Sequence, residues 1–587
     1  MRGASLLLIF FAAKLAVLWG HAAPLSGIAL VAYAWQDAAV ALAFAAIDIG
    51  LQRAGAPTRI AWSLYWAAAI YAAINIPVGR VVFTPLTRPM LRAARGPLAD
   101  SMMGYVTASN ILLVVSVLTA ALVLPRLLSH TPRRVAIAGL ACTMPVVLAG
   151  PIAARRVDTV GMERNVITAL LGSGRPAATA EAAAMDWRAS RFPAEFPPGR
   201  LSRFKGSAAG HNVVMISLES TAAQYLPLFG GAGSALRDPM PNLSTLARRA
   251  LVFENAYAVY PESIKGLFSV LCSMFPAFDS TPEEYEASDC RAVATVLGDA
   301  GYRTALFHSG RFEYLGMEAI IRGRGYQTLE DAGAIGGNHQ SSFGVDEPAT
   351  VARMLAWIDS LPRGQKFFLN YLPIAGHHPY ATPEPGPLPV TTEVDQYRNA
   401  LHYGDVSLGA LMDGLRARGL EQNTVWVIYG DHGEAFHQHE GNYGHTFFVY
   451  EENVHVPFVI AAPGLMQRQE RVKQVVSLVD TAPTILDLLG LPAPANYQGR
   501  TMFDETPRMA LFFTDYSLGL LGLRDGPWKF IYETGSGRAK LFDLERDPME
   551  KSDVSVREAA RVSSYSRIVR GWSSAQNHNG AAASNAH

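Results

Sequence analysis

Five long apolar stretches follow one another in the first part of the chain, at about residues 4–20, 26–51, 60–79, 107–125 and 134–153. Each is close to the roughly 20 residues that an α-helix needs to cross a bilayer. Backbone groups in hydrocarbon must be satisfied within their own segment, so helices are expected. We therefore predict a transmembrane helical domain of about five spans over residues 1–156. Four or six spans are the alternatives, and a cleaved signal peptide is the alternative for the first stretch.

The pattern changes after a juxtamembrane linker at residues 157–208, which contains Gly-, Ala- and Pro-rich stretches. Apolar runs of about six residues then alternate with helix-like segments, and such short runs are typical of buried parallel strands. The runs lie at 212–217, 302–307, 366–371, 424–429 and 454–461, with helical patterns at 350–361 and 397–418. This pattern predicts an α/β domain over residues 209–560, an amphipathic helix at 476–491 and a flexible tail at 561–587.

Charge divides the chain into the same two parts. Residues 1–156 hold 13 Lys and Arg against three Asp and Glu, whereas the remainder holds 37 against 47. The second part is mildly acidic and has no basic tract. We therefore expect no nucleic-acid partner, since such a partner requires clustered Lys and Arg.

Arginines flanking the apolar stretches indicate the orientation. An inside N-terminus is favoured by Arg2, Arg53, Arg59, Arg126, Arg133 and Arg134, and it places the large domain outside when the number of spans is odd. Four other arginines then fall on the outer side: Arg80, Arg88, Arg92 and Arg95. A segment lying along the lipid headgroups and an ordinary solvated loop both fit their spacing.

The chain has three cysteines, of which Cys142 lies in the fifth apolar stretch. Cys272 and Cys290 lie in the large domain. A disulfide between them would suit an oxidising compartment, and two buried free thiols are the equal alternative.

Carboxylate and imidazole side chains follow the ends of predicted strands. Glu219 follows the first run, His377 the third, and Asp431 and His432 the fourth. Ligands of open α/β sheets bind at the carboxyl ends of the strands, so we expect these side chains to lie close together. Two carboxylates and one imidazole suit Zn or Mn, and suit Mg or Ca less well. The sequence thus predicts a divalent-metal site with an open position.

Ser263 is a candidate for the hydroxyl that such a site would activate. It follows a Pro-Glu turn at the start of a helical run, where unpaired backbone N–H groups attract anions. A cation beside it would favour the alkoxide, a good nucleophile toward phosphorus. A plain helix N-cap is the equal alternative.

Five segments, in this order, resemble the landmarks of the sulfatase and alkaline-phosphatase superfamily; they lie at 212–220, 429–434, 451–460, 480–484 and 541–550. Membrane spans ahead of such a domain are similar to the lipoteichoic acid synthases and the lipid A phosphoethanolamine transferases. The resemblance implies an alkaline-phosphatase-like α/β sandwich. It also implies a metal-dependent enzyme that moves a phosphorus-containing headgroup from a phospholipid through a covalent hydroxyl intermediate.

The resemblance also implies roles for individual residues. The metal ligands would be Glu219, Asp431, His432 and the nucleophile Ser263. The substrate-binding candidates are His377, His445, His308 and Lys265, and an exposed position is the favoured alternative for Lys265. His437 and His439 have no firm counterpart and are expected to be solvent-exposed loop residues.

Two departures from these families bear on the substrate. Both transferase families use threonine where this chain has Ser263. True sulfatases carry Pro and Arg after the nucleophile to direct formylglycine formation, and here Ile264, Lys265, Gly266 and Leu267 follow instead. The segment at 541–550 is nevertheless more typical of sulfatases than of transferases.

The expected function is therefore the transfer or hydrolysis of a phosphodiester headgroup, of phosphoethanolamine or phosphoglycerol type, through a phospho-serine. The expected partners are a membrane phospholipid donor and a glycan or lipid acceptor with a hydroxyl. The expected location is a bacterial-type inner membrane, with the catalytic domain on the extracytoplasmic side. The alternatives are a sulfuric ester hydrolase of the same superfamily and a catalytically silent membrane protein that binds a glycan or partner.

Overall fold

The computed structural model describes residues 1–21, 24–93, 106–172, 186–192, 199–230, 237–340 and 343–584. Arg95, most of the Ala-rich part of the predicted linker and most of its Pro-rich stretch lie outside these residues.

Helices make up the N-terminal part, as the hydrophobic pattern predicts. They are α1 Arg2–Leu18, α2 Gly27–Arg53, α3 Thr58–Val82, α4 Arg88–Ala93, α5 Ala108–Leu128, α6 Arg133–Ala141, α7 Met144–Arg156 and α8 Val166–Leu171. Among the described residues, four segments are long and apolar enough to cross a membrane: Gly27–Arg53, Thr58–Val82, Ala108–Leu128 and Ile137–Arg156.

This count is one fewer than the predicted five, and the difference lies in the first stretch. Helix α1 has only 17 residues, at the short end of the roughly 17–25 that span a bilayer. It packs against α2 through ion pairs of Arg2 with Asp48, at 2.5 Å, and of Lys14 with Asp37, at 2.7 Å. The first stretch is therefore a helix of the bundle with 17 residues, the length of the predicted stretch, and it falls outside the four candidate spans because of its short length.

The large domain is built on a nine-stranded sheet whose strands are mostly parallel. Its strands are β1 Asn212–Leu218, β2 Ala250–Tyr257, β3 Arg303–His308, β4 Thr328–Glu330, β5 Phe367–Leu372, β6 Thr424–Gly430, β9 His455–Val456, β10 Phe458–Ala461 and β11 Glu470–Ser477; a separate two-stranded ladder pairs β7 Ala435–Phe436 with β8 Tyr443–Gly444. Eight of the strands follow the order β11-β2-β10-β6-β1-β5-β3-β4, and the ninth, β9, pairs antiparallel with β2. Strand β10 runs antiparallel to its neighbours.

Helices cover both faces of this sheet. They are α9 Pro241–Leu246, α10 Ser263–Cys272, α11 Pro282–Glu286, α12 Val293–Asp299, α13 Met317–Ile321, α14 Ala332–Ile335, α15 Glu347–Asp359, α16 Glu393–Ala417, α17 Glu451–Val454 and α18 Thr481–Leu488. Because side chains alternate along a strand, β1 sends Val213 and Met215 into one hydrophobic core and Val214 and Ile216 into the other. This explains why its four central residues are all apolar, and it confirms the predicted α/β class.

A second, antiparallel sheet follows, and the predicted flexible tail packs on it. The sheet comprises β12 Ala510–Thr514, β13 Leu520–Asp525, β14 Trp528–Glu533 and β15 Ala539–Asp543, and the last helix is α19 Ala559–Ser584. Tyr565, Val569 and Trp572 of α19 are buried in the core of this sheet. The prediction of a tail was wrong because three apolar residues, spaced one helical turn apart, anchor the segment.

The predicted helix at 476–491 is shorter than expected. Its first residues, Val476 and Ser477, end β11, and the α-helix covers only Thr481–Leu488. Asp480, just before this helix, accepts a hydrogen bond from the backbone N–H of Ser477 at 3.1 Å and forms a buried ion pair with Arg188 at 2.7 Å. Its carboxylate therefore ties Arg188, which precedes the sheet in sequence, to the junction between β11 and the helix.

Cys272 and Cys290 form a disulfide, with their Cα atoms 5.5 Å apart. It joins the end of α10 to the loop before α12. The alternative of two free thiols is therefore excluded. The third cysteine, Cys142, is free and exposed.

Candidate active site

The register of two neighbouring strands brings the predicted metal ligands together. In the parallel pair β1 and β6, Leu218 lies beside Gly430, so the next residues of both strands leave the sheet side by side. The backbone N–H of Asp431 donates to the carbonyl of Leu218 at 3.1 Å. Glu219, Asp431 and His432 therefore converge although they lie more than 200 positions apart.

Ser263 lies at the first turn of α10, and the helix is capped by its neighbour. The Glu262 carboxylate accepts hydrogen bonds from the backbone N–H groups of Ile264 and Lys265. The alternative that Ser263 is a plain N-cap is therefore wrong. Its Oγ instead lies 3.0 Å from Oε2 of Glu219 and 3.3 Å from Nε2 of His432.

The set of Glu219, Asp431 and His432 fits a divalent cation. One ligand atom from each lies within 4.8 Å of the others, and all three side chains are buried. Burial and the neighbouring Asp431 raise the pKa of Glu219 to about 8. Within the described chain, the ion pairs of both carboxylates are with His432 alone, at 3.6 Å. Two buried carboxylates that lack a Lys or Arg partner are a suitable environment for a metal ion.

A second group of possible ligands shares His432, and sequence reasoning missed one of its members. The group consists of His432, Glu434 and His445, whose ligand atoms also lie within 4.8 Å of one another. Nδ1 of His445 lies 2.7 Å from Oε2 of Glu434, and the His445 ring lies 4.3 Å from that of His432. Burial alone would raise the pKa of Glu434, but His445 and the Tyr380 hydroxyl hold it below its ordinary value.

Ser263 opens into a cavity of about 560 Å³, and the four predicted substrate-binding residues line it: His308, His377, His445 and Lys265. Burial, together with His445, lowers the pKa of His377 to about 4, and burial also lowers that of His308. Both rings are therefore neutral near pH 7. Nδ1 of His308 lies 2.9 Å from the carbonyl oxygen of Leu372, at the end of β5.

Lys265 is not exposed, contrary to the favoured alternative. Its Nζ lies 2.9 Å from both carboxylate oxygens of Asp515, and only 15% of the side chain is accessible. Asp515 follows β12 of the second sheet, so this pair joins α10 to the second sheet at the cavity. Burial would raise the pKa of Asp515, but Lys265 keeps it low.

The two histidines without a family counterpart differ from each other. His437 is exposed, as expected, and stacks on Tyr443. His439 is only 11% accessible, stacks on Tyr450 and has its Nδ1 2.6 Å from Glu452, which contradicts the expectation of a solvent-exposed loop residue. It is therefore a structural histidine under the second sheet.

Comparison with protein families and curated relatives identifies similar sequences. The family model described as Sulfatase matches residues 211–491, and the model for the C-terminal part of N-sulphoglucosamine sulphohydrolase matches residues 440–565. Arylsulfatase K of Gallus gallus is 32% identical over 185 residues, which are 28% of this chain and 34% of the relative. Lipoteichoic acid synthase 2 of Bacillus subtilis (strain 168) is 24% identical over 305 residues, which are 49% of this chain and 46% of the relative. The similarity thus spans less than half of either relative.

Solved structures share the fold. The lipoteichoic acid synthase LtaP from Listeria monocytogenes aligns with a TM-score of 0.53 and 17% identity, over 70% of this chain and 96% of that one. A protein of the alkaline phosphatase superfamily from Vibrio parahaemolyticus aligns with a TM-score of 0.52 and 19% identity, over 66% of this chain and 93% of that one. At this level of identity the alignments establish the architecture of the large domain.

Proposed function

We propose that this protein is a metal-dependent enzyme acting on phosphodiesters, and the match of the Sulfatase family model to residues 211–491 supports this. The headgroup is of phosphoethanolamine or phosphoglycerol type, and a membrane phospholipid donates it to water or to a glycan or lipid hydroxyl. The observation that carries the proposal is the position of Ser263, with its Oγ 3.0 Å from Glu219 and 3.3 Å from His432.

The reaction has two steps that share a phospho-serine. In the first, Oγ of Ser263 forms a bond to the headgroup phosphorus and the bond from phosphorus to the diacylglycerol oxygen breaks. The serine proton ends on the released diacylglycerol hydroxyl. In the second, the oxygen of an acceptor hydroxyl or of water forms a bond to the phosphorus and the bond from phosphorus to Oγ of Ser263 breaks. The proton of the acceptor ends on Oγ, which restores the serine hydroxyl. In-line positioning and charge stabilisation carry most of such a reaction, so few groups are needed.

The remaining residues of the cavity have binding roles in this proposal. His377 and His445 contact the phosphoryl oxygens, and His308 and Lys265 shape the wall around them. Zn or Mn, with Mg or Ca as alternatives, would be held by Glu219, Asp431, His432 and Ser263. When bound, it would supply a Lewis acid that lowers the pKa of the serine hydroxyl.

The apolar helices and the disulfide support the proposed membrane location. Four segments of the described chain have the length and composition of membrane spans, and the disulfide of the large domain suits an oxidising compartment. We place the chain in a bacterial-type inner membrane, with the catalytic domain on the extracytoplasmic side.

A sulfate-ester hydrolase is the second candidate, supported by the similarity to arylsulfatase K and by the match at residues 440–565. It requires formylglycine at position 263. The residues after Ser263 lack the Pro and Arg that direct this oxidation, and for this reason the phosphodiester reaction is preferred.

The mass of the peptide containing Ser263 tests both candidates. The full-length protein, purified in detergent, is incubated with phosphatidylethanolamine or phosphatidylglycerol, digested and analysed by mass spectrometry. We expect an added phosphoethanolamine or phosphoglycerol group on Ser263, absent from Ser263→Ala and present in Ser269→Ala, a buried serine of the same helix. Formylglycine in the untreated protein would favour the sulfatase instead. An unmodified Ser263 in a protein that releases no headgroup from either lipid would contradict the proposal.

A further inference from the structure

One wall of the Ser263 cavity comes from the membrane domain. Pro89 and Arg92 of the short helix α4 line the cavity, on the segment that follows the apolar helix α3. This segment is fixed to the large domain, because the Thr87 hydroxyl donates to the carbonyl of Tyr516 at 2.5 Å. Tyr516 lines the same cavity. The cavity is therefore formed jointly by the two domains.

Arg92 is connected to the helix that carries the nucleophile. Its Nη2 lies 3.0 Å from Oδ1 of Asp279, and the backbone N–H of Asp279 donates to Asp515. Asp515 in turn pairs with Lys265, two residues after Ser263. At the cavity wall, Arg92 thus pairs with Asp279, and Lys265 pairs with Asp515.

The two basic residues differ in how much of their charge is available. The Lys265 ammonium has both oxygens of Asp515 at 2.9 Å and its side chain is 15% accessible, whereas the Arg92 side chain is 44% accessible and uses one nitrogen on Asp279. A guanidinium presents five N–H donors in a planar fork that matches phosphate oxygens. Arg92 can therefore bind an anionic group in the cavity while it keeps Asp279.

The position of α4 indicates the source of that anionic group. The helix begins six residues after the end of α3, at Val82, and its contacts with Tyr516 and Asp279 place this end of the apolar span beside the large domain. Its Leu91, next to Arg92, is a large apolar side chain that is 37% exposed. An arginine beside an exposed leucine at the end of a span suits the boundary between lipid headgroups and acyl chains.

We propose that Arg92 binds the phosphodiester oxygens of a lipid-borne substrate as its headgroup enters the cavity, while the diacylglycerol part remains on the side of α4. The inference rests on the proposed function and adds to it a selecting residue from the membrane domain. Arg92 thereby makes the enzyme prefer esters carried by a membrane lipid over soluble esters of the same chemistry.

The test compares one lipid and one soluble substrate for the full-length protein reconstituted in vesicles. Release of diacylglycerol from phosphatidylglycerol or phosphatidylethanolamine is compared with release of nitrophenolate from bis(p-nitrophenyl) phosphate. We expect Arg92→Gln to lower kcat/KM for the vesicle lipid at least about fivefold more than for the soluble diester, mainly through KM, and Arg92→Lys to restore part of the loss. Arg88→Gln is the matched control, because Arg88 lies on the same helix but contacts the carbonyl of Leu170.

A second variant distinguishes a role of Arg92 in substrate binding from a role in holding α4 against the large domain. Asp279→Asn breaks the ion pair and leaves Arg92 in place, so we expect it to keep the wild-type preference for the lipid. An equal loss on both substrates in Arg92→Gln, no loss on either, or a loss in Asp279→Asn that matches Arg92→Gln would overturn the inference. A wild-type protein that turned over neither phosphodiester would overturn the proposed function, and the inference with it.

Discussion

Glu434 and His445 stand opposite each other at the mouth of a two-stranded ladder. The pairing of Ala435 with Gly444 in β7 and β8 places the preceding Glu434 beside the following His445, with Nδ1 and Oε2 2.7 Å apart. A buried carboxylate at this distance favours the tautomer with the proton on Nδ1 and leaves Nε2 toward the site. The hairpin therefore fixes both the position and the orientation of His445.

Replacing Glu434 by Gln should lower kcat/KM for phosphodiester turnover about 10- to 100-fold, the range found when the partner that orients a functional histidine is removed. Steady-state assays with bis(p-nitrophenyl) phosphate measure the change. Glu452→Gln is the matched control, because Glu452 is also buried and pairs with a histidine, His439, but lies outside the cavity wall. Equal losses in both variants would show that Glu434 acts only on stability.

The sequence predicted that Glu219, Asp431 and His432 would lie close together, because the end of each strand can be recognised from its local sequence. Glu219 and Asp431 each follow an apolar run, and parallel strands deliver such residues to one edge. The contacts of Glu434 and Lys265 could not be predicted from strand ends. Glu434 meets His445 because β7 and β8 pair, and these two-residue strands show little hydrophobic pattern. The partner of Lys265 is Asp515, which lies 250 positions away, after a strand of the second sheet.

Ser263→Ala should abolish turnover, with a fall in kcat of at least about a thousandfold, because the variant lacks the hydroxyl that lies 3.0 Å from Glu219 and 3.3 Å from His432 and that forms the covalent intermediate. Ser263→Thr keeps the hydroxyl and should retain part of the activity. Circular dichroism checks that both variants fold. If Ser263→Ala turned over substrate as fast as the wild type, the phospho-serine would be ruled out, and direct attack of water on the phosphorus would be the remaining mechanism.

Metal binding should stabilise the folded protein in addition to supporting activity. At a free metal concentration about 100-fold above Kd, binding adds about 2.7 kcal/mol to the free energy of unfolding. We expect Mn²⁺ or Zn²⁺ to raise the Tm of the chelator-treated wild type, and to raise that of Glu219→Gln or Asp431→Asn much less. Activity should disappear on chelation and return with the metal. Full activity after exhaustive chelation would contradict a metal site.

Loss of the disulfide should destabilise the large domain. The bond joins residues 18 positions apart, and a loop of about this length corresponds to about 3 kcal/mol in the chain-entropy account. The double substitution Cys272→Ser and Cys290→Ser should therefore lower Tm under oxidising conditions, and reductant should lower the wild-type Tm toward the same value. Cys142→Ser, at the exposed free cysteine, is the control and should change neither the Tm nor its response to reductant. A wild type insensitive to reductant would argue against the bond.

The C-terminal helix should contribute to stability as part of the core. Trp572 is 1% exposed and packs edge-on against Phe275 and Phe513, so it links α19 to the second sheet and to the segment after α10. Trp572→Ala leaves a cavity among these rings and should lower the free energy of unfolding by about 3–5 kcal/mol. Arg570→Ala, at an exposed position of the same helix, should change it by less than about 0.5 kcal/mol. Chemical unfolding of the two variants measures the difference. Equal, small effects would contradict the packing of α19 and support the flexible tail that the sequence predicts.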